Sequence, residues 1–182
     1  TYTAEGIKAI ADSIAVSTSV TECNVRGNRL NADSAKELAK IATEKRVTLF
    51  GIQHGQTEAV FRNQTLGSVD AILIANDLAV TTSLTSINLG FNSLGSEGAK
   101  ALAPAILDST SLTSIYLSHN NLGSEGAKAL ASAIRDSTSI TSIDLSANNL
   151  GPEGAKALAP AIRDSPSVTS VHAFGNSRSS GG

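Results

Sequence analysis

One 28-residue text stands three times in succession, from Leu84, Leu112 and Ile140, and no other feature limits the fold so severely. The copies read LTSINLGFNSLGSEGAKALAPAILDSTS, LTSIYLSHNNLGSEGAKALASAIRDSTS and ITSIDLSANNLGPEGAKALAPAIRDSPS. VTSVHAFGNS at Val168 begins a fourth copy and stops after its first third. Counting back 28 from Leu84 reaches Gln56, where QTEAVFRNQTLGSVDAILIANDLAVTTS fits with more drift. VTECNVRGNRLNADSAKELAKIATEKR starts at Val20, 36 residues before Gln56, so eight extra residues fall near 47–55. Ahead of it, EGIKAIADSIAVSTS from Glu5 matches the second part of a copy whose first part is absent. The text predicts six helix-and-strand units in one solenoid over residues 1–177, with an irregular insertion at 47–55 and a flexible tail at 178–182.

Each copy changes period inside itself. Ile87 and Leu89 alternate with Ser86 and Asn88, the pattern of a short strand with one buried face. Ala99, Leu102, Ala103 and Ile106 then follow i, i+3, i+4, i+7, one stripe of a helix. Pro152 marks a helix start, where its missing N–H costs nothing. Pro104 and Pro160 lie deeper, off the apolar stripe, where they are expected to bend the helices. Strands pair at about 4.8 Å and helices at about 8 to 10 Å, so side-by-side copies must curve. The expected class is α/β, an arc with a parallel sheet on its concave face and helices on its convex face.

The run Leu84-x-x-Ile87-x-Leu89-x-x-Asn92-x-Leu94-Gly95 at a 28-residue period resembles the leucine-rich repeats of the ribonuclease-inhibitor type. That resemblance implies that one Asn per repeat bonds loop backbone from inside the arc. Asn28, Asn92, Asn120, Asn148 and Asn176 occupy the slot, and Gln64 departs from it. It also implies a non-enzymatic protein-binding module. The alternatives it raises are a regulator resembling the Ran GTPase-activating protein, or the sensor or adaptor part of a longer chain, as in nucleotide-binding receptors and tropomodulin.

The three copies also serve as their own comparison. They agree at 19 of 28 positions, and only two positions carry three different residues: Asn88/Tyr116/Asp144 and Phe91/His119/Ala147. Alternation sends both sets away from the buried face, as a recognition surface requires, although drift at solvated sites would give the same pattern. The central column reads Asn24, Val60, Asn88, Tyr116, Asp144, His172, and two residues on come Arg26, Arg62, Gly90, Ser118, Ser146, Phe174. The expected partner-binding set is Arg26, Val60, Arg62, Asn88, Phe91, Tyr116, His119, Asp144, His172 and Phe174, with Glu22 and Glu58 near the arginines. Tyr, Phe and Arg are enriched at interface centres.

Catalytic and metal chemistry find little support. Asp144 and His172 should be neighbours on adjacent strands with His119 close by, but no His/Cys spacing supports a metal site. The repeated Gly95/Gly98 and Gly123/Gly126 pairs lack a GK[ST] or GxGxxG context and read as turn and packing glycines. No cofactor is expected. With 14 basic and 16 acidic residues the chain nominates no nucleic acid, and no apolar run spans a bilayer. Cys23, the single cysteine, takes the place of Ile87 and is expected to be a small buried apolar residue in a reducing, cytoplasmic compartment. The sequon Asn63-Gln64-Thr65 points the other way. The missing initiating Met suggests a processed chain or a fragment.

Two local anomalies complete the reading. Val47, Leu49, Phe50 and Ile52 make the insertion too apolar for water, and Ile72 and Leu73 stand where later copies have Lys100 and Ala101. The insertion is expected to pack against that helix or to extend the sheet. At the other end, residues 168–173 have no following helix and should fray or meet a partner.

Overall fold

The computed structural model describes residues 3–177; the predicted flexible tail lies outside them. Among the described residues two helices are followed by five strands of three residues that alternate with four further helices: α1 Ala4–Val16, α2 Ala32–Lys45, β1 Glu58–Val60, α3 Ser68–Val80, β2 Ser86–Asn88, α4 Gly95–Asp108, β3 Ser114–Tyr116, α5 Gly123–Asp136, β4 Ser142–Asp144, α6 Gly151–Asp164 and β5 Ser170–His172. The strands form one parallel sheet in chain order. Their register is the repeat itself: Ile87 pairs with Ile115, Ile115 with Ile143 and Ile143 with Val171. The result is the curved α/β solenoid that the period demands.

The core is a set of thin, equivalent layers. Leu84, Ile87 and Leu89 lie beneath the strand of one copy, while Ala99, Leu102 and Ile106 face them from the helix, all at most 1% exposed. Neighbouring helices approach closely because Gly126 and Gly154 face them; a Cβ there would come within 3.2 Å of the Ala99 Cβ and 3.0 Å of the Ala127 Cβ, respectively. Both α4 and α6 continue through Pro104 and Pro160, which lie on the exposed side.

Backbone groups at the ends of the strands are held by side chains, as they must be when water is excluded. The Asn120 amide donates to the Leu89 and Leu117 carbonyls. Asn148 does the same to Leu117 and Leu145, and its Oδ1 accepts the Asn120 N–H. Asn92 and Asn176 repeat the arrangement. A threonine column runs along the start of the strands, each Oγ1 donating one repeat back: Thr85 to Thr57, Thr113 to Thr85, Thr141 to Thr113, Thr169 to Thr141.

The N-terminal part departs from this pattern. The strand expected near Val20–Val25 is reduced to one bridge, Glu22 to Thr48, because the insertion supplies its partner. Cys23 N–H donates to the Thr48 carbonyl and Val25 N–H to that of Leu49. Val47, Leu49, Phe50 and Ile52 are buried at 0 to 1% exposure, so the insertion both extends the sheet edge and fills the core. Cys23 itself is only half-buried, which corrects the expectation of a fully buried residue. No strand covers its upstream side; it lines an open groove with Ala9, Ile10 and Val20. Burial still pushes its thiol pKa up.

Candidate functional site

On the concave face, residues that alternate outward sit above a tightly packed floor. Val60 is 65% exposed and Tyr116 36%, while Asn88 and Asp144 are half-buried and His172 is exposed. The second column divides: Arg26, Arg62 and Phe174 are exposed, but Gly90, Ser118 and Ser146 are buried and form part of the floor. Three central-column side chains also hold their own backbone. Asn24 accepts the Arg26 N–H, Asn88 that of Gly90, and Asp144 that of Ser146, at 2.9 to 3.0 Å. These local turns use up one acceptor each. Tyr116 and Val60 have no such bond and project freely.

Phe91 and His119 stand just past the strands, in the left-handed backbone region, rather than on the strands themselves. Their φ values are +58° and +55°, and Asn63 and Ala147 share the conformation at the equivalent positions. Gly27 and Gly175 fill the same slot at the two ends of the arc, at +77° and +69°. A bulky residue is unfavourable there by about 1 to 2 kcal/mol. An aromatic side chain in this slot therefore needs a compensating contact.

The compensation is visible as a stack. The Phe91 and His119 rings lie 4.0 Å apart at 24°. On the other face of Phe91 the Arg62 guanidinium carbon is 3.9 Å from the ring centroid. Arg62 passes beside Gly90, its Nη1 3.5 Å from where a Cβ there would stand. A cation over an aromatic face contributes about 0.5 to 2 kcal/mol. Arg26, one repeat earlier, bonds Gln64 and covers Phe50 and Phe61 at 5.0 and 5.4 Å. The two arginines are thus engaged by rings and an amide; the ion pairs among the described residues do not include them or Glu22 and Glu58.

Asp144 and His172 are register partners across β4 and β5, as alternation requires. No group of three His, Cys, Asp or Glu able to hold a metal occurs among the described residues. No described helix is long and apolar enough to cross a membrane.

The residues that sequence reasoning missed are Asn76 and Asp77. Asp77 takes the position of Ala105, Ala133 and Ala161 in the later copies, and is fully buried. Its carboxylate accepts the Leu49, Phe50 and Ile52 N–H groups, the last two at 3.0 Å, and the Asn76 amide. Asn76 also donates to the Val47 carbonyl. Burial pushes the Asp77 pKa up and wins over the four donors, which favour the charged form. The signal was present as an acid where all three later copies have alanine. Through Phe50 and Phe61 this anchor reaches the concave face, because Arg26 lies on both rings.

Comparison with known proteins agrees with this geometry. A family model described as Leucine Rich repeat matches residues 81–103, 108–131 and 136–159. The chain carries leucine-rich repeats. Among solved structures it is similar to a tropomodulin C-terminal domain from Caenorhabditis elegans, at 15% identity over 87% of this chain and 92% of that one, with a TM-score of 0.50. The actin-binding site 2 domain of leiomodin-1 matches at 15% identity over 87% of this chain and 88% of that one, with a TM-score of 0.52. No curated protein matches in sequence. At this identity the two structures share the fold of the leucine-rich-repeat chain.

Proposed function

We infer that this leucine-rich-repeat arc binds another protein on its concave face, through Arg62, Phe91, Tyr116 and His119 at the centre and Arg26, Val60, Asn88, Asp144, His172 and Phe174 around them. The observation that carries the reading is the Arg62–Phe91–His119 stack: large side chains are held in place, partly against backbone preference, while Phe91 stays 39% exposed. Side chains ordered before binding lose less entropy on contact, which is how aromatic anchors gain affinity. Bulky rings in a slot that glycine fills elsewhere are also the kind of strain that collects at functional surfaces. A protein partner fits better than a nucleic acid, because formal charge nearly balances at −2.

The test immobilises the chain and compares proteins captured from a cell extract, with purified actin, for which the leiomodin domain is named, as a separate arm. Tyr116→Ala with Phe174→Ala should keep the thermal midpoint and lower capture at least roughly tenfold, as expected of interface anchors. Lys128→Ala on the convex side should leave capture unchanged. Equal capture by all three proteins would remove the concave-face reading.

A further inference from the structure

The outward side of one interior helix departs from all the others. On α4, α5 and α6 an exposed Glu and an exposed Lys stand three residues apart and form the salt bridges Glu97–Lys100, Glu125–Lys128 and Glu153–Lys156, at 2.6 to 2.8 Å. In α2 the equivalent positions are Asp33 and Lys36. In α3 they are Val69 and Ile72. The charged residues of α3 are Asp70, whose carboxylate accepts the Gly67 N–H at the helix start, and the buried Asp77. Its outward side therefore carries no charge. A helix apolar all round belongs in an interior, yet α3 has only α2 and α4 as helical neighbours, and Ile72 and Ala75 stay half-buried while Ala79 is exposed.

The two neighbours turn this apolar strip into a trough of about 400 Å³. Ile72, Ala75 and Ala79 line it between Ala39 of α2 and Ala101 and Pro104 of α4. The α2 side is tied in place: Thr43 Oγ1 donates to Asn76 Oδ1 at 2.9 Å, and the Asn76 amide is held in turn by the Val47 carbonyl. A groove fixed before contact costs less to fill.

Charge around the trough is one-sided. Its charged lining residues are Lys36, Lys40 and Lys100 against Asp108. Lys100 is engaged: its bond to Glu97 raises its pKa, and Glu125 on the next helix adds to that. Lys36 and Lys40 belong to none of the salt bridges among the described residues. By repeat spacing, the acid that would answer Lys36 from the next helix, as Glu125 answers Lys100, is replaced by Val69. Lys36 and Lys40 are four residues apart on α2, so two carboxylates at the same spacing on a facing helix would meet both.

We propose that this trough is a second binding site, on the convex side, that takes an acidic amphipathic helix of a partner protein. The guest's apolar stripe lies on Ile72, Ala75 and Ala79, and its carboxylates reach Lys36 and Lys40. The lining residues run over 36–43, 72–79 and 100–108, about two turns of each helix, which suits a rod laid along α3. A flat headgroup plane would touch the lysines but leave the half-buried Ile72 uncovered. The site lies away from the concave face and does not depend on what binds there.

Selection from a phage-displayed library of random peptides of about 16 residues, long enough for four helical turns, on the immobilised 182-residue chain tests this. Enriched peptides are synthesised and their binding is read by fluorescence anisotropy. A class of them should lose at least roughly tenfold in affinity on Ile72→Lys, which installs the residue of the later copies. That class should carry apolar residues at i, i+3, i+4 and i+7 with an excess of Asp and Glu. Lys36→Glu with Lys40→Glu should weaken it by a similar factor, and exchanging the peptide's carboxylates for lysines should restore binding to that variant. Tyr116→Ala with Phe174→Ala should leave it unchanged, which separates this site from the concave one. All these positions are exposed or half-buried, and circular dichroism with the thermal midpoint checks that each variant folds. The proposal is overturned if no enriched peptide depends on Ile72 and the two lysines, or if the Ile72-dependent peptides are neutral or basic. It is equally overturned if, in place of peptide binding, Ile72→Lys abolishes self-association of the chain or the double glutamate variant abolishes binding to phosphatidylserine–phosphatidylcholine vesicles.

Discussion

Residues 84–176 and residues 20–80 solve one problem with different chemistry. In the later copies, buried backbone groups at the strand ends are satisfied by neutral asparagines, one per repeat, each bridging its own loop and the one before. In the earlier region Gln64 breaks that series, and a single buried carboxylate, Asp77, gathers three backbone N–H groups of the insertion. The regular device is distributed and tolerates a local loss. The irregular one is concentrated, so its failure should be large and local.

The largest effect is expected from Asp77→Ala, which strands three buried N–H groups at roughly 1 to 3 kcal/mol each. Urea unfolding should show a loss of about 4 kcal/mol, and amide exchange should quicken at Leu49, Phe50 and Ile52; a change below about 1 kcal/mol would contradict the anchor role. Asn148→Ala comes next at about 2 kcal/mol, since it leaves the Asn120 N–H without its acceptor and takes one of two asparagine donors from each of the Leu117 and Leu145 carbonyls. Its exchange signature should spread over two adjacent repeats, where that of Asp77→Ala stays near the insertion.

The two devices also part on acidification. Asp77 has a folded pKa raised by burial above its ordinary 3.8. The folded chain therefore holds this proton more tightly than the unfolded one, and the Asp77 contribution is most favourable below 3.8 and lost as pH rises through the folded pKa. The difference in unfolding free energy between wild type and Asp77→Asn should shift in favour of wild type as pH falls from neutral towards 4, while that between wild type and Asn148→Ala stays level. Equal slopes would place Asp77 in a more solvated setting than the geometry gives it.

The smallest expected difference lies within the regular region. Val171 is half-buried at the open end, while Ile115 and Ile143 are fully buried. In dilute solution Val171 should exchange its amide roughly tenfold faster than Ile115, equivalent to about 1.4 kcal/mol of local opening. Exchange as slow as at Ile115 would mean that the end is already covered.

Much of this was legible in the residues. The 28-residue period fixes strand register, because equal spacing puts Ile87, Ile115 and Ile143 side by side. The switch from a period of two to 3.6 locates β2 to β5 and α3 to α6 closely. Alternation also finds the outward column and sends Phe91 and His119 away from the buried face, where they stand exposed just past the strand in a left-handed turn. Backbone alternation says nothing beyond the last extended residue. It likewise cannot distinguish Arg62 and Phe174, which reach solvent, from Ser118 and Ser146, which are small enough to be covered.

What the sequence alone determined is the repeating frame: solenoid, parallel sheet, buried leucines and isoleucines, and the phase in which each copy follows the last. These follow from spacing, which any local stretch of chain displays. Only the tertiary structure decided that Asp77 holds the insertion 25 to 28 residues away, that Arg62 lies on Phe91, and that Arg26 covers Phe50 and Phe61. Such contacts depend on which side chains converge once the copies are stacked, and convergence across layers is set by packing rather than by period.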